Sequence, residues 1–292
     1  MTNPTAVPEP GPHDATKTYA AAGPDTDVAA IAPDPAVAEG ILADRPAADV
    51  FDADTHREAK EIIARYPMSR SALLPMLHLV QSVQGYVSQE GIAFCAQHLD
   101  LTDAEVSAVA TFYTMYKRRP CGEHLVSVCT NTLCAALGGD DIYKKLQTHL
   151  GSAEKPLGHE ETSGTPGEAG SITLEHVECL AACDLGPVLQ VNYEYFDNQT
   201  PEQAVALVDA LQAGKKPAPT RGAALTDFKG AERQLAGFWP EDDATYRSAV
   251  DGPSQAVETL RGAQIAADRG WSAPGAQDVP LPAVPNKEGE KK

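Results

Sequence analysis

Four cysteines stand as two close pairs, Cys129-Thr130-Asn131-Thr132-Leu133-Cys134 and Cys179-Leu180-Ala181-Ala182-Cys183. The gaps are C-x4-C and C-x3-C. A [2Fe–2S] cluster asks for four thiolates, two on each tetrahedral iron beside the bridging sulfides. Each pair can therefore hold one iron from one loop. Zinc is the main alternative use of four thiols. Four-cysteine zinc sites are usually built from C-x2-C knuckles, and gaps of four and three match them poorly. A thioredoxin-type thiol reductase needs C-x-x-C ahead of a helix, which this chain does not carry. Disulfides are disfavoured if the chain works in a reducing cytosol. On spacing alone iron–sulfur leads, with zinc behind it.

The elements around the pairs must bring them together. Leu125 to Val128 reads as a strand ending at Cys129, and Cys134 precedes a helix from about Asp140 to Leu150 with Ile142, Leu146 and Leu150 on one face. Gly158 to Gly170 is polar and Gly-rich, a loop. Ile172 to Val177 reads as a strand running into Cys179. Both pairs thus lie in loops leaving strands, and can meet at one end of a sheet that supplies rigid placement. Small residues, Ala181, Ala182 and Gly186, let backbone N–H groups come close to sulfur, which helps set a cluster's potential. Val188 to Val191 and Tyr193 to Phe196 read as a hairpin turning near Asn192. Thr200-Pro201-Glu202-Gln203 is a capping box with Pro in the first helical position, opening a helix that carries Val205, Val208 and Leu211.

Upstream the pattern is helical. Asp54 or Thr55 is the expected cap of a first helix through Ala64, and Ser69 or Ser71 of a second carrying Leu73, Leu77 and Val80. A third starts at Ser88 and buries Ile92, Cys95 and Leu99. A fourth opens on the box Thr102-Asp103-Ala104-Glu105. Cys95 falls on an apolar helix face and reads as a small buried hydrophobe. Cys121 reads as a bystander thiol in a hinge. His78 and His98 read as core or surface histidines rather than ligands. Lys117, Arg118 and Arg119 form the main basic run, read as a solvated helix end complementing its dipole, against a partner contact.

The whole is an α+β chain. Residues 1–54 form an acidic, Pro/Ala-rich tail too polar to offset ordering entropy. A small helical bundle spans 55–120, a thioredoxin-like α/β domain 121–215, and a largely irregular extension 216–292. In that extension short helices fit around Ala231 and Ser254, and Phe238, Trp239 and Trp271 could anchor a partner or pack locally. The segment 286–292 reads as disordered. A net charge of −18, with 41 acidic against 23 basic residues, argues against a nucleic-acid partner. No targeting segment and no spanning stretch is visible, so no direct membrane insertion is expected. A G-x-G-x-x-G fingerprint after a strand and a P-loop are both missing, so nucleotide chemistry is expected in another chain.

The residues around the cysteine pairs, with Val109-Ala110-Thr111-Phe112-Tyr113-Thr114-Met115-Tyr116, Tyr66-Pro67 and Ser71-Ala72-Leu73-Leu74-Pro75-Met76-Leu77-His78, strongly resemble the E subunit (24-kDa type) of NADH:quinone oxidoreductase, respiratory complex I. The likeness runs from about Phe51 to Lys215. It implies one [2Fe–2S] cluster held by Cys129, Cys134, Cys179 and Cys183, and no catalytic residue in this chain. It implies docking on a flavin-bearing F subunit that binds FMN and NADH, among other peripheral-arm subunits. The location it implies is cytoplasmic, on the inner face of a bacterial membrane. Related subunits serve NAD-linked hydrogenases and formate dehydrogenases. The family's second motif commonly reads Cys-Leu-Gly-Ala-Cys, so Ala181 replaces a glycine, and the 158–170 loop is longer than usual. The resemblance also implies a cis peptide before Pro187, where an ordinary turn proline would be trans. Outside the complex I reading stand a structural zinc adaptor and a free thioredoxin-like ferredoxin.

Overall fold

The structure is a computed structural model and describes residues 50–239 and 257–271. The tail to residue 49, the stretch around Ser254 and the segment 286–292 lie outside the described residues. Helix α1 is Ala53–Ala64, α2 Leu73–Gln84, α3 Gln89–Leu99 and α4 Asp103–Phe112. Their facing residues, among them Ile62, Met76, Leu77, Val80, Ile92, Cys95 and Val106, are almost fully buried in one apolar cluster. Ser88 Oγ accepts from Gly91 N–H at 2.9 Å to start α3, and Thr102 and Glu105 close the capping box of α4.

Two starts differ from expectation. The cap of α1 is Asp52, whose carboxylate accepts from Thr55 N–H at 2.8 Å. Asp54 and Thr55 already lie inside the helix, since an acceptor must sit three residues ahead of the donor it caps. The segment Ser69–Ala72 is a 3₁₀ turn, and neither Ser69 nor Ser71 caps α2.

Downstream, β1 (His124–Cys129), β2 (Glu161–Ser163), β3 (Ile172–Val177), β4 (Leu189–Val191) and β5 (Glu194–Phe196) form one sheet of order β2-β3-β1-β4-β5. Strands β1 and β3 are parallel, which requires a crossover. The short helix α5 (Thr132–Ala136) and the longer α6 (Gly139–Leu150) supply it. The 158–170 loop is not wholly irregular. It contributes β2, because Glu161 to Ser163 find free edge partners on β3. The β4–β5 turn sits at Asn192 and Tyr193, both with positive φ, as a two-residue hairpin needs. Helix α7 (Pro201–Gln212) opens on the Thr200/Gln203 box. The second core lies between sheet and helices, with Val126, Ile142, Leu146, Ile172, Leu174, Leu189 and Val208 buried.

Part of the C-terminal extension packs back on the fold. Helix α8 (Phe228–Leu235) runs against α2, and Phe228 is 1% exposed. The short helix expected around Ala231 is thus present, in an extension expected to be largely irregular because apolar residues are sparse in it. Leu225, Phe228, Ala231 and Ala236 are buried, whereas Leu235 is 46% exposed. Phe238 packs locally, stacked by Arg65 and Arg233. Trp239 is 44% exposed. Helix α9 is Val257–Asp268, and Arg269 stacks on the exposed Trp271. Among the described residues no helix is long and apolar enough to cross a membrane.

Candidate metal centre

Strand register decides how the two cysteine pairs meet. Cys129, the last residue of β1, is level with Val177, the last of β3, and Cys179 follows two residues on. Parallel strands leave the sheet at the same end, so both loops emerge side by side. Two hydrogen bonds tie them down: Cys129 N–H to Val188 O at 3.1 Å and Thr130 N–H to Val177 O at 3.1 Å. A third, Asn131 Nδ2 to Glu178 Oε2 at 2.5 Å, crosses between the loops.

The first pair is buried and the second faces outward. Cys129 and Cys134 are 1% and 2% exposed, in an apolar cluster with Ala182 and Val188 against which Leu180 and Tyr195 pack. Cys179 and Cys183 are exposed, with their sulfurs 3.4 Å apart, far beyond a disulfide bond length. All six cysteines are free thiols. Burial pushes the Cys134 thiol up to about 11, opposed by a hydrogen bond from the Val188 backbone and reinforced by Cys129 and Cys183. Cys183 is raised chiefly by its contact with Cys179. These thiols therefore rest protonated and would release protons on taking up metal.

The donor set fits a [2Fe–2S] cluster. Four sulfurs stand as two pairs, one from each loop. Among the described residues no three His, Cys, Asp or Glu side chains converge on one ion-sized position. Two backbone donors already address sulfur: Val188 N–H to Cys134, and Ala181 N–H to Cys179 at 3.4 Å. The walls are tight as well as small. A Cβ on Gly186 would come within 3.3 Å of Cys134 Sγ, and one on Gly139 within 2.5 Å of Cys129 O. Ala181 takes a left-handed backbone, φ 58°, which is why a glycine suits that position. The Gly186–Pro187 peptide is cis.

Cys95 and Cys121 sit elsewhere, buried in the helical core and beside Leu125 and Phe228. Burial raises both thiols, Cys121 to about 12. His78 is buried against Glu232, and His98 contacts His56 at 2.9 Å.

Lys117 departs from both readings of the basic run. It is neither a solvated helix end nor a partner contact, but 3% exposed. Its ammonium bonds Glu175 and, at 3.0 Å, Glu160, while Ser127 donates to Glu175 at 2.6 Å. Strand alternation puts Ser127 and Glu175 on the same face at paired register. Ser127 between Val126 and Val128, and Glu175 after Leu174, were the available signal, and they needed the register to be read. Tyr195 was also missed: its hydroxyl donates to Leu180 O at 2.9 Å, inside the second cysteine loop.

The family described as thioredoxin-like [2Fe-2S] ferredoxin matches residues 59–212. The E subunit of NADH-quinone oxidoreductase from Mycobacterium tuberculosis (strain ATCC 25618 / H37Rv) is 53% identical over 217 residues, 74% of this chain and 81% of the relative. The same-named protein of Rickettsia bellii (strain RML369-C) is 34% identical over 165 residues, 56% of this chain and 93% of the relative. Among solved structures, a chain of an NAD+-reducing [NiFe]-hydrogenase in the H2-reduced state aligns with TM-score 0.41 and 16% identity. It covers 48% of this chain, and this chain spans 22% of that one.

Proposed function

Because the chain belongs to the thioredoxin-like [2Fe-2S] ferredoxin family, and within it to the E subunits of NADH-quinone oxidoreductase, we propose that Cys129, Cys134, Cys179 and Cys183 together hold its single [2Fe–2S] cluster. The observation that carries this is the register of Cys129 with Val177, which sets both loops at one end of the sheet. Bound there, the cluster supplies one-electron redox chemistry. Cys129 and Cys134 form the dry inner wall, and exposed Cys179 and Cys183 form the outer one. Val188 and Ala181 aim their N–H groups at sulfur, which offsets added negative charge.

The outward second pair suits electron exchange with a flavin carried by a partner, the NADH-oxidising F subunit. The names of the relatives support this reading, as does the lack of a nucleotide fingerprint here. Neighbouring subunits of the peripheral arm complete the assembly, on the cytoplasmic face of a bacterial membrane. In this reading 55–120 is a helical domain, 121–215 the cluster domain, and 216–292 an extension of which 216–239 packs on both.

Anaerobic purification followed by metal and sulfide analysis tests the site. Two irons and two acid-labile sulfides per chain are expected, with a visible spectrum that bleaches on reduction. Cys129→Ser, Cys134→Ser, Cys179→Ser and Cys183→Ser should each lose or alter the reduced-state EPR signal. Cys95→Ser and Cys121→Ser should keep it. A folded chain carrying zinc, or a normal cluster in any of the first four variants, defeats the assignment. Co-purification of a flavoprotein from native membranes tests the partner.

A further inference from the structure

The second cysteine loop has no regular secondary structure of its own between β3 and the 3₁₀ turn Cys183–Leu185. Something else must fix its backbone. Tyr195, on β5, does so from the side: its ring packs against the cluster of Cys129, Cys134, Ala182 and Val188, and its hydroxyl holds Leu180 O at 2.9 Å.

Tyr195 is itself held by a segment beyond residue 212, where the family match ends. Thr220 N–H donates to Tyr195 O at 2.9 Å, and Arg221 forms a β-bridge with Tyr195. The Arg221 guanidinium lies 4.1 Å from the Tyr195 ring centroid. Its Nη2 meets Asp197 Oδ1 at 3.0 Å, and Thr220 Oγ1 bonds the other Asp197 oxygen at 2.7 Å. Arg221 and Asp197 side chains are 15% and 5% exposed. The Arg221 Nε is buried without a hydrogen-bond partner among the described residues. The guanidinium is therefore positioned by its stacking and by Asp197, at some cost in satisfied donors. A cation over a ring face withdraws electron density and makes a phenol a better donor.

We propose that Tyr195 and Arg221 are positioning residues for the cluster: Arg221 clamps and polarises Tyr195, and Tyr195 fixes the Cys179–Cys183 loop through Leu180. This rests on the four-cysteine reading above. It assigns a function to the start of the C-terminal extension, which stitches onto the edge of the sheet to complete the site.

The test compares Tyr195→Phe, Arg221→Met, their combination and Leu225→Ala, all in the full-length, cluster-loaded chain. Leu225 lies in the same segment and is 3% exposed in the sheet core, so its truncation serves as a purely structural control. Tyr195→Phe should shift the g values of the reduced-state EPR signal and speed cluster loss to a chelator about tenfold, the scale of one lost hydrogen bond. Arg221→Met should do the same, and the double variant should add little, since both act on one contact chain. Leu225→Ala should lower the denaturation midpoint and leave the EPR line in place. Wild-type spectra and lifetimes in either single variant overturn the proposal, as does an equal spectral change in Leu225→Ala. If the unaltered chain binds no [2Fe–2S] cluster, the four-cysteine reading fails instead.

Discussion

His78 Nδ1 of α2 lies 2.6 Å from Glu232 Oε2 of α8, with both side chains almost wholly out of water. The other Glu232 oxygen accepts from Tyr193 OH at 2.7 Å, at the β4–β5 turn. One carboxylate thus joins the helical core, the sheet and the C-terminal extension. Asn192 beside it bonds Leu125 N–H and Thr226 O, which completes the junction.

Glu232→Ala is therefore expected to destabilise the chain by about 3 kcal/mol, since two buried donors lose their acceptor. Glu232→Gln should cost less, because one carbonyl oxygen remains to accept. Urea unfolding measures both, and equal losses in the two variants would contradict this account.

Lys117 is held above its ordinary value of 10.5: burial alone would lower it, but Glu175 and then Glu160 outweigh that. A raised folded-state value means its stabilisation is whole below pH 10.5 and is lost as pH climbs through the higher value. Stability should fall in strong alkali, and Lys117→Met should remove that dependence. At neutral pH Lys117→Met should cost about 3 kcal/mol by leaving Glu175 buried and unpaired. Adding Glu175→Gln should recover part of it, a coupling readable in a double-mutant cycle.

Burial raises Glu194 to about 7, opposed by the Ala223 N–H it accepts at 3.0 Å. Its neutral form is favoured on folding, so stability is full below the ordinary value of 4.5 and declines as pH rises from there through 7. Glu194→Gln should flatten that decline and stabilise the chain at pH 8 by about 1 kcal/mol, allowing for screening of a group still partly exposed. A pH series of thermal unfolding curves checks the sign.

Ala181→Gly should stabilise the chain by about 0.5 kcal/mol. It relieves a left-handed alanine costing roughly 1–2 kcal/mol, less the extra freedom glycine gains when unfolded. Gly186→Ala should act in the opposite sense and disturb the cysteine site, because its Cβ would press Cys134 Sγ and Leu137. Chemical denaturation and sulfur-to-iron charge-transfer absorption report the two effects.

The linear pattern of residues favoured iron–sulfur chemistry over zinc. Thiol type, count and spacing pointed to a two-iron centre. The capping boxes at Thr102 and Thr200 marked two helix starts, because capping is local. Periodicity exposed the strand ahead of each cysteine pair for the same reason. What depends on contacts between distant residues came from the folded arrangement alone. Register set Cys129 level with Val177, buried Lys117 against Glu175, and recruited Glu161 to Ser163 as an edge strand. The burial of Phe228 and Glu232, and the hold of Arg221 on Tyr195, come from a segment whose pattern showed a short helix around Ala231 but not where it docks. A few well-placed side chains can dock a polar stretch when the surface that receives them is already folded, and one-dimensional patterns carry no trace of that surface.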